Sequence, residues 1–204
     1  MFKLINKYFF YISFFLILVL GFFKNMGFRQ KSNRFFCDEA SIGYNVYSIL
    51  KTGKDEYGNK FPILFKAFGE CKRPTYIYSS IPFMRIFGLN EFAVRLTSAF
   101  YGMLTVLVMY FMVKQLFDKE IAFYSSLFMA ISPWHIHFSR IGFEAISFIF
   151  WTVLLIYILF KSFKNFLYYY LAVVVYFIAF LHIIQHQFIY FLFYFFNTLF
   201  QESI

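Results

Sequence analysis

The chain has 204 residues, of which 61% are hydrophobic and 27% aromatic, while only 14% are charged. A soluble domain carries about 25% charged residues, and a soluble core of this length has no room for so many aromatic rings, so the composition excludes an ordinary water-soluble fold and points to the bilayer as solvent. The net charge of +9 is scattered among apolar segments instead of forming one basic face, which argues against nucleic acid as the partner.

In chain order, five runs lack Asp, Glu, Lys and Arg: Tyr8–Phe23, Leu96–Val113, Ile121–Ser139, Ala145–Phe160 and Phe166–Gln201. A helical span needs roughly 17–25 apolar residues. The first and fourth runs are slightly short, and snorkelling by Lys7 and Lys24 around the first, and by Lys161 at the end of the fourth, makes up the difference. The fifth is long enough for one span and part of another, and it is interrupted by His182, Gln185, His186 and Gln187. The first run follows Lys3 and Lys7 as a signal peptide would, but Lys24–Arg34 offers no clear small-x-small cleavage site, so the run reads as an uncleaved anchor.

With the N-terminus cytoplasmic, Lys3, Lys7, Lys114, Lys119, Lys161 and Lys164 all fall inside, while the short loop between the third and fourth runs holds only Arg140 and falls outside, as the positive-inside rule asks. The basic segment Lys24–Arg95 also falls outside, but it exceeds the roughly 60 residues over which that rule acts. It is therefore expected to be a folded extracytoplasmic element whose surplus positive charge suits a phosphate-bearing lipid. Both cysteines, Cys37 and Cys71, lie in it, where a disulfide is chemically allowed but not fixed by spacing.

Within that loop, Asp38 and Glu39 open a segment with Ile42, Val46, Ile49 and Leu50 at helical spacing, and Gly53 is a natural stop. Asp55-Glu56-Tyr57-Gly58-Asn59 reads as a turn. Pro62 and Pro74 bracket a non-helical stretch, and Thr75–Phe87 reads as a second helix along the membrane surface. Gly88–Glu91 breaks it, with Asn90 placed to cap the helix that follows. The fold class expected is an all-α integral membrane protein with about five spans and a long first loop carrying surface helices.

Several residues can carry chemistry. Asp38 and Glu39 either cap a helix or supply a base or metal ligand at the membrane face; neighbours on a helix diverge by about 100°, so they should not share one role. Lys72, next to Arg73 and Pro74, is a weak phosphate-binding signal by itself. Arg95 and Arg140 fall at the outer interface, where they either snorkel or neutralise a lipid phosphate. Glu144 needs a partner, and Arg140 four residues earlier is the expected one on a shared helix face. His135 and His137 can ligate one metal only if the backbone there is extended.

These signals occur in an order that resembles the protein O-mannosyltransferase and aminoarabinose-transferase group of the GT-C glycosyltransferases. The matching pieces are Asp38-Glu39-Ala40 with a helix ending at Gly53, and Phe68–Tyr78 with Lys72 and Pro74. Further on come Phe87-Gly88-Leu89-Asn90-Glu91 and Ala93–Ala99, then Ser132–Ile136, Phe138-Ser139-Arg140 and Glu144-Ala145. The resemblance covers roughly residues 1–180 and implies a partial GT-C fold in four segments: an N-terminal span (1–23), an extracytoplasmic loop with the site (24–95), spans two to five (96–183), and a divergent tail (184–204).

The resemblance further implies transfer of a sugar from a polyprenyl-phosphate donor to a hydroxyl of a protein, lipid or glycan acceptor. It makes Asp38 the base and Glu39 its neighbour, and assigns Lys72, Arg95, Arg140 and Glu144 to substrate binding. It names no protein-bound cofactor, assigns no metal ligand, and leaves room for a divalent cation. The setting expected is a bacterial plasma membrane with a cytoplasmic N-terminus. Family members are longer, so the chain reads as an N-terminal fragment with little transfer activity of its own, and a shifted reading frame near Leu181 would account for its last residues.

Overall fold

A computed structural model describes residues 37–67 and 70–183. The first run, Tyr8–Phe23, and the 184–204 tail lie outside the described residues. Helix α1 spans Cys37–Thr52 with Asp38 and Glu39 in its first turn, where carboxylates favour the helix dipole. Ile42, Val46 and Ile49 form its buried stripe. It stops where the sequence predicts, at Gly53, whose φ of 68° is left-handed and whose N–H reaches the Ile49 carbonyl at 2.9 Å.

The turn after α1 is built around Asp55. Its carboxylate accepts from the N–H groups of Tyr57 (2.9 Å) and Asn59 (2.8 Å) and from the Asn59 side chain (2.9 Å). Lys54 and Lys60 pair across the turn, and Phe61 is driven to a φ of 40° with its ring against Gly53.

The stretch between Pro62 and Pro74 contains a hairpin that the sequence does not announce. Strand β1, Phe65–Ala67, pairs antiparallel with β2, Glu70–Lys72, and Phe65 lies opposite Lys72. Three residues are too few to show a period-2 pattern. An isolated pair of this size is marginal. Phe65 is fully buried and meets Tyr78 edge-on, and the Tyr78 hydroxyl donates to the Pro62 carbonyl at 2.9 Å.

Helix α2, Pro74–Phe87, begins with proline at its first position, where a missing N–H costs nothing. It closes at Gly88 (φ 79°), whose N–H reaches Met84. Asn90 then caps α3, Glu91–Leu116, accepting the Ala93 N–H at 2.7 Å as expected. Helix α3 is the axis of the molecule: α1, α2, α4 (Lys119–Ile131), α5 (Pro133–Arg140) and α6 (Ala145–Ser162) all pack on it, and α7 (Leu167–Ile183) packs on α6. Tyr76 of α2 joins this axis through a 2.6 Å hydrogen bond with Ser98. The main core gathers Ile42, Val46, Phe65, Ile77, Val94, Tyr101, Ile146 and Phe150.

Two helices, α3 and α6, are long and apolar enough to cross a membrane, and Leu167–Phe180 within α7 is a shorter apolar helix. The third apolar run, Ile121–Ser139, is not one helix. It divides at Ser132, which is extended (ψ 125°) as a residue before proline must be, and Pro133 starts α5 afresh. Helix α5 lies against α3 at Gly102, where a Cβ would come within 2.8 Å of the Ser139 Cβ.

Two predictions follow from this packing. Gly102→Ala should cost about 1–3 kcal/mol by overpacking, read as a lower thermal midpoint in detergent or nanodiscs; an unchanged midpoint would refute the close approach. The second concerns Asp55. Desolvation pushes its carboxyl up, but the hydrogen bonds from Asn59 and Tyr57 outweigh this and hold it below the usual carboxylate range. Its contribution is therefore complete above about pH 4, the unfolded carboxyl's value, and is lost as pH falls from there through the folded value. Amide exchange across residues 54–61, corrected for intrinsic rates, should accelerate over that window, and Asp55→Ala should make it fast at neutral pH already.

Candidate active site

Four segments meet at the end of the bundle where α3 and α6 begin: the first turn of α1, the β2–α2 corner, the first turns of α3, and the α5–α6 loop. Among the described residues, Asp38, Glu39, Lys72, Arg73, Arg95 and Glu144 gather there because each lies at or near an element end, where backbone N–H groups and short loops leave room for ionic side chains.

Glu39 is at the centre and is completely buried. Arg95, four residues into α3, grips it with two parallel bonds, Nε to Oε1 at 2.8 Å and a terminal nitrogen to Oε2 at 3.0 Å. Such fork-to-fork pairing is the strongest geometry open to an ion pair. The Gly142 N–H adds a bond to Oε1 at 2.7 Å. Only glycine brings that N–H so near, since a Cβ on residue 142 would lie 2.7 Å from Val94 and 3.1 Å from Glu39 itself. Arg95 also pairs with Glu91 one turn earlier in α3. A cation so engaged serves to hold the site together, whatever it also offers a ligand.

Asp38 faces elsewhere, as the helical angle between neighbours requires. Its side chain is 43% exposed and pairs with Lys72 at the end of β2, itself only 8% exposed. The two adjacent acids thus separate into a buried one and an accessible one. Cys37, just before them, is a free exposed thiol.

Glu144 does not form the expected helical pair with Arg140. Helix α5 ends at Arg140 and α6 starts at Ala145, so the two residues share no helix face. Glu144 instead accepts the backbone N–H of Arg73 at 2.9 Å, and the Arg73 guanidinium stands 4.0 Å from its other oxygen and over the Phe148 ring. The paired-histidine metal site is also excluded by geometry. Residues 133–140 are helical, not extended, which leaves His135 buried while His137 is exposed beside Phe138. Among the described residues no three His, Cys, Asp or Glu side chains converge in a metal-holding group.

The arrangement offers one solvent-facing carboxylate with a lysine ammonium against it, on a frame stiffened by a buried carboxylate–guanidinium pair. A carboxylate so placed can take a proton from a hydroxyl, and the neighbouring cation can meet an anion. Of the sequence candidates, the structure brings Asp38 to Lys72 and Glu39 to Arg95, and gives Glu144 to Arg73. Arg73 and Gly142 were not singled out for these tasks; their partners lie 71 and 103 residues away, and no local pattern encodes that.

Removing one partner of a buried ion pair strands the other, at about 3–5 kcal/mol. Glu39→Gln should therefore lower the unfolding midpoint strongly, whereas Asp38→Asn, which removes a 43% exposed carboxylate but leaves the Lys72 ammonium behind, should lower it less. Equal effects of the two substitutions on thermal unfolding would contradict the division between them.

The sequence profile of the dolichyl-phosphate-mannose-protein mannosyltransferase family matches residues 74–203, more than half of the chain and including most of the 184–204 segment. Dolichyl-phosphooligosaccharide-protein glycotransferase 2 of Pyrococcus furiosus is 34% identical over 73 residues, which are 36% of this chain and 10% of that protein. The chain thus spans about a tenth of the length of this curated relative. No solved structure gives a significant match. With two helices fit to cross a membrane and a family match over most of its length, the chain belongs to the dolichyl-phosphate-mannose-protein mannosyltransferase family, membrane glycosyltransferases of the GT-C type.

Proposed function

We propose that this chain carries the acceptor-activating part of a glycosyltransferase that moves a sugar from a polyprenyl-phosphate donor to a hydroxyl of a protein, lipid or glycan. The observation that supports this most is the separation of the two adjacent acids: Asp38 exposed beside Lys72, Glu39 buried under Arg95 and Gly142. In this reading Asp38 takes the acceptor proton as the C–O bond to the sugar forms and the bond to the donor phosphate breaks. The phosphate leaves with the bonding pair, and Lys72, together with Arg140 at the end of α5, stabilises the negative charge it gathers. Glu39 and Arg95 keep Asp38 in place and touch no substrate. The lipid tail of the donor explains why such a site is mounted on membrane helices. The reading includes a cytoplasmic N-terminus, the site on the opposite face of a bacterial plasma membrane, and about five spans in all. A divalent cation is compatible with it but has no assigned ligands.

The alternative is a non-catalytic membrane protein or an inactive portion of such an enzyme. One assay addresses both: transfer of radiolabelled sugar from a polyprenyl-phosphate donor to a hydroxyl acceptor, in membranes holding the chain and, in parallel, a longer family member with the same Asp-Glu pair. Asp38→Asn should reduce turnover by about 10²–10⁴-fold at normal expression, the usual worth of a general base. Unchanged turnover would remove Asp38 from the base role, and absence of transfer by the unsubstituted chain alone would assign it the non-catalytic reading.

A further inference from the structure

Lys72 occupies an exposed-to-buried boundary at the end of a strand of only three residues, in a sheet of only two strands. Such a hairpin does not hold its register by its own ladder. Its β1 side is held by the buried Phe65 ring. The β2 side ends in Lys72, and the next residue, Arg73, is the N-cap position of α2, where its own side chain makes no capping hydrogen bond. The group that meets it comes from the far side of the fold: Glu144, directly before α6, accepts the Arg73 N–H at 2.9 Å. The same carboxylate faces the Arg73 guanidinium at 4.0 Å, and Phe148 one turn into α6 lies beneath that guanidinium. A carboxylate at this spot both satisfies a strand-end donor and complements the positive end of α2.

We propose that Glu144 is a positioning residue: by holding the Arg73 N–H it fixes the end of β2 and so keeps Lys72 against Asp38. Glu144 acts through the backbone and does not touch substrate. This inference rests on the reading of Asp38 and Lys72 as the reacting end of the site, but its test needs no turnover.

The test is lysine footprinting of the full chain in nanodiscs with a water-soluble acetylating ester, read by peptide mass spectrometry. In the unsubstituted chain Lys72 should be protected, while exposed Lys54 is modified freely. Glu144→Ala should raise Lys72 acetylation several-fold and leave Lys54 unchanged. Glu144→Gln keeps an acceptor oxygen for the Arg73 N–H and should restore protection. Arg73→Pro provides a second route should Glu144→Ala fail to fold. It removes the N–H at a position whose φ of −77° suits proline, after a residue already extended, and should expose Lys72 as Glu144→Ala does. Arg73→Ala, which retains the N–H, should not. Continued protection of Lys72 in Glu144→Ala and Arg73→Pro would overturn the proposal, as would exposure in Glu144→Gln equal to that in Glu144→Ala. A chain that transfers no sugar still gives this footprint, so failure of the transferase reading and failure of the positioning role are separable.

Discussion

A carboxylate buried away from water is tolerable only if its charge and its lone pairs are met inside the protein. Glu39 imposes that constraint, and the fold is arranged to satisfy it. The α1 helix must start beside α3 so that Arg95 can reach across with its fork. The α5–α6 loop must come back over the same point so that Gly142 can add its N–H. Three segments far apart in sequence are thereby fixed on one pair of oxygens. The rest of the site hangs on α1 being held in that position, because Asp38 is the neighbouring residue.

Around this fixed point the ionic side chains divide the work by exposure. Glu39–Arg95 and Glu144–Arg73 join elements to one another, while Asp38–Lys72 stands at the boundary with solvent. A pair with one exposed member keeps hydration on that side, so its carboxylate can exchange partners at lower cost than one that is fully buried. Bonds between elements and contact with solvent therefore fall to different residues within the same few turns of chain. In the proposed transferase reading, that separation leaves an acid accessible to an acceptor while the buried pair holds its frame.

The sequence foretold these features unevenly, and the unevenness has physical causes. Signals carried by one or two residues acting locally were readable: the acids opening α1, the stop at Gly53, the Asp55 turn and the Asn90 cap all act through bonds to backbone a few residues away. The divergence of Asp38 and Glu39 followed from helix geometry alone. The hairpin was not readable, because three-residue strands leave no alternation to detect. The third apolar run looked continuous, since hydropathy does not register that Ser132 must be extended ahead of Pro133. Long-range closures such as Arg73 with Glu144 were invisible, and the nearer Arg140 seemed the better partner only on the assumption of one unbroken helix.

The adjacency of Asp38 and Glu39 also limits how the chain can change. A helix turns about 100° with each residue. A single residue inserted into the first turn of α1, between Glu39 and the Ile42–Val46 stripe, would rotate both acids by that angle relative to the core. The buried carboxylate would swing away from Arg95, and the accessible one would turn from Lys72 at the same time. Insertions before Cys37 or in the Asp55 turn leave the angle untouched. The segment from Asp38 to Val46 is thus one indivisible unit of spacing.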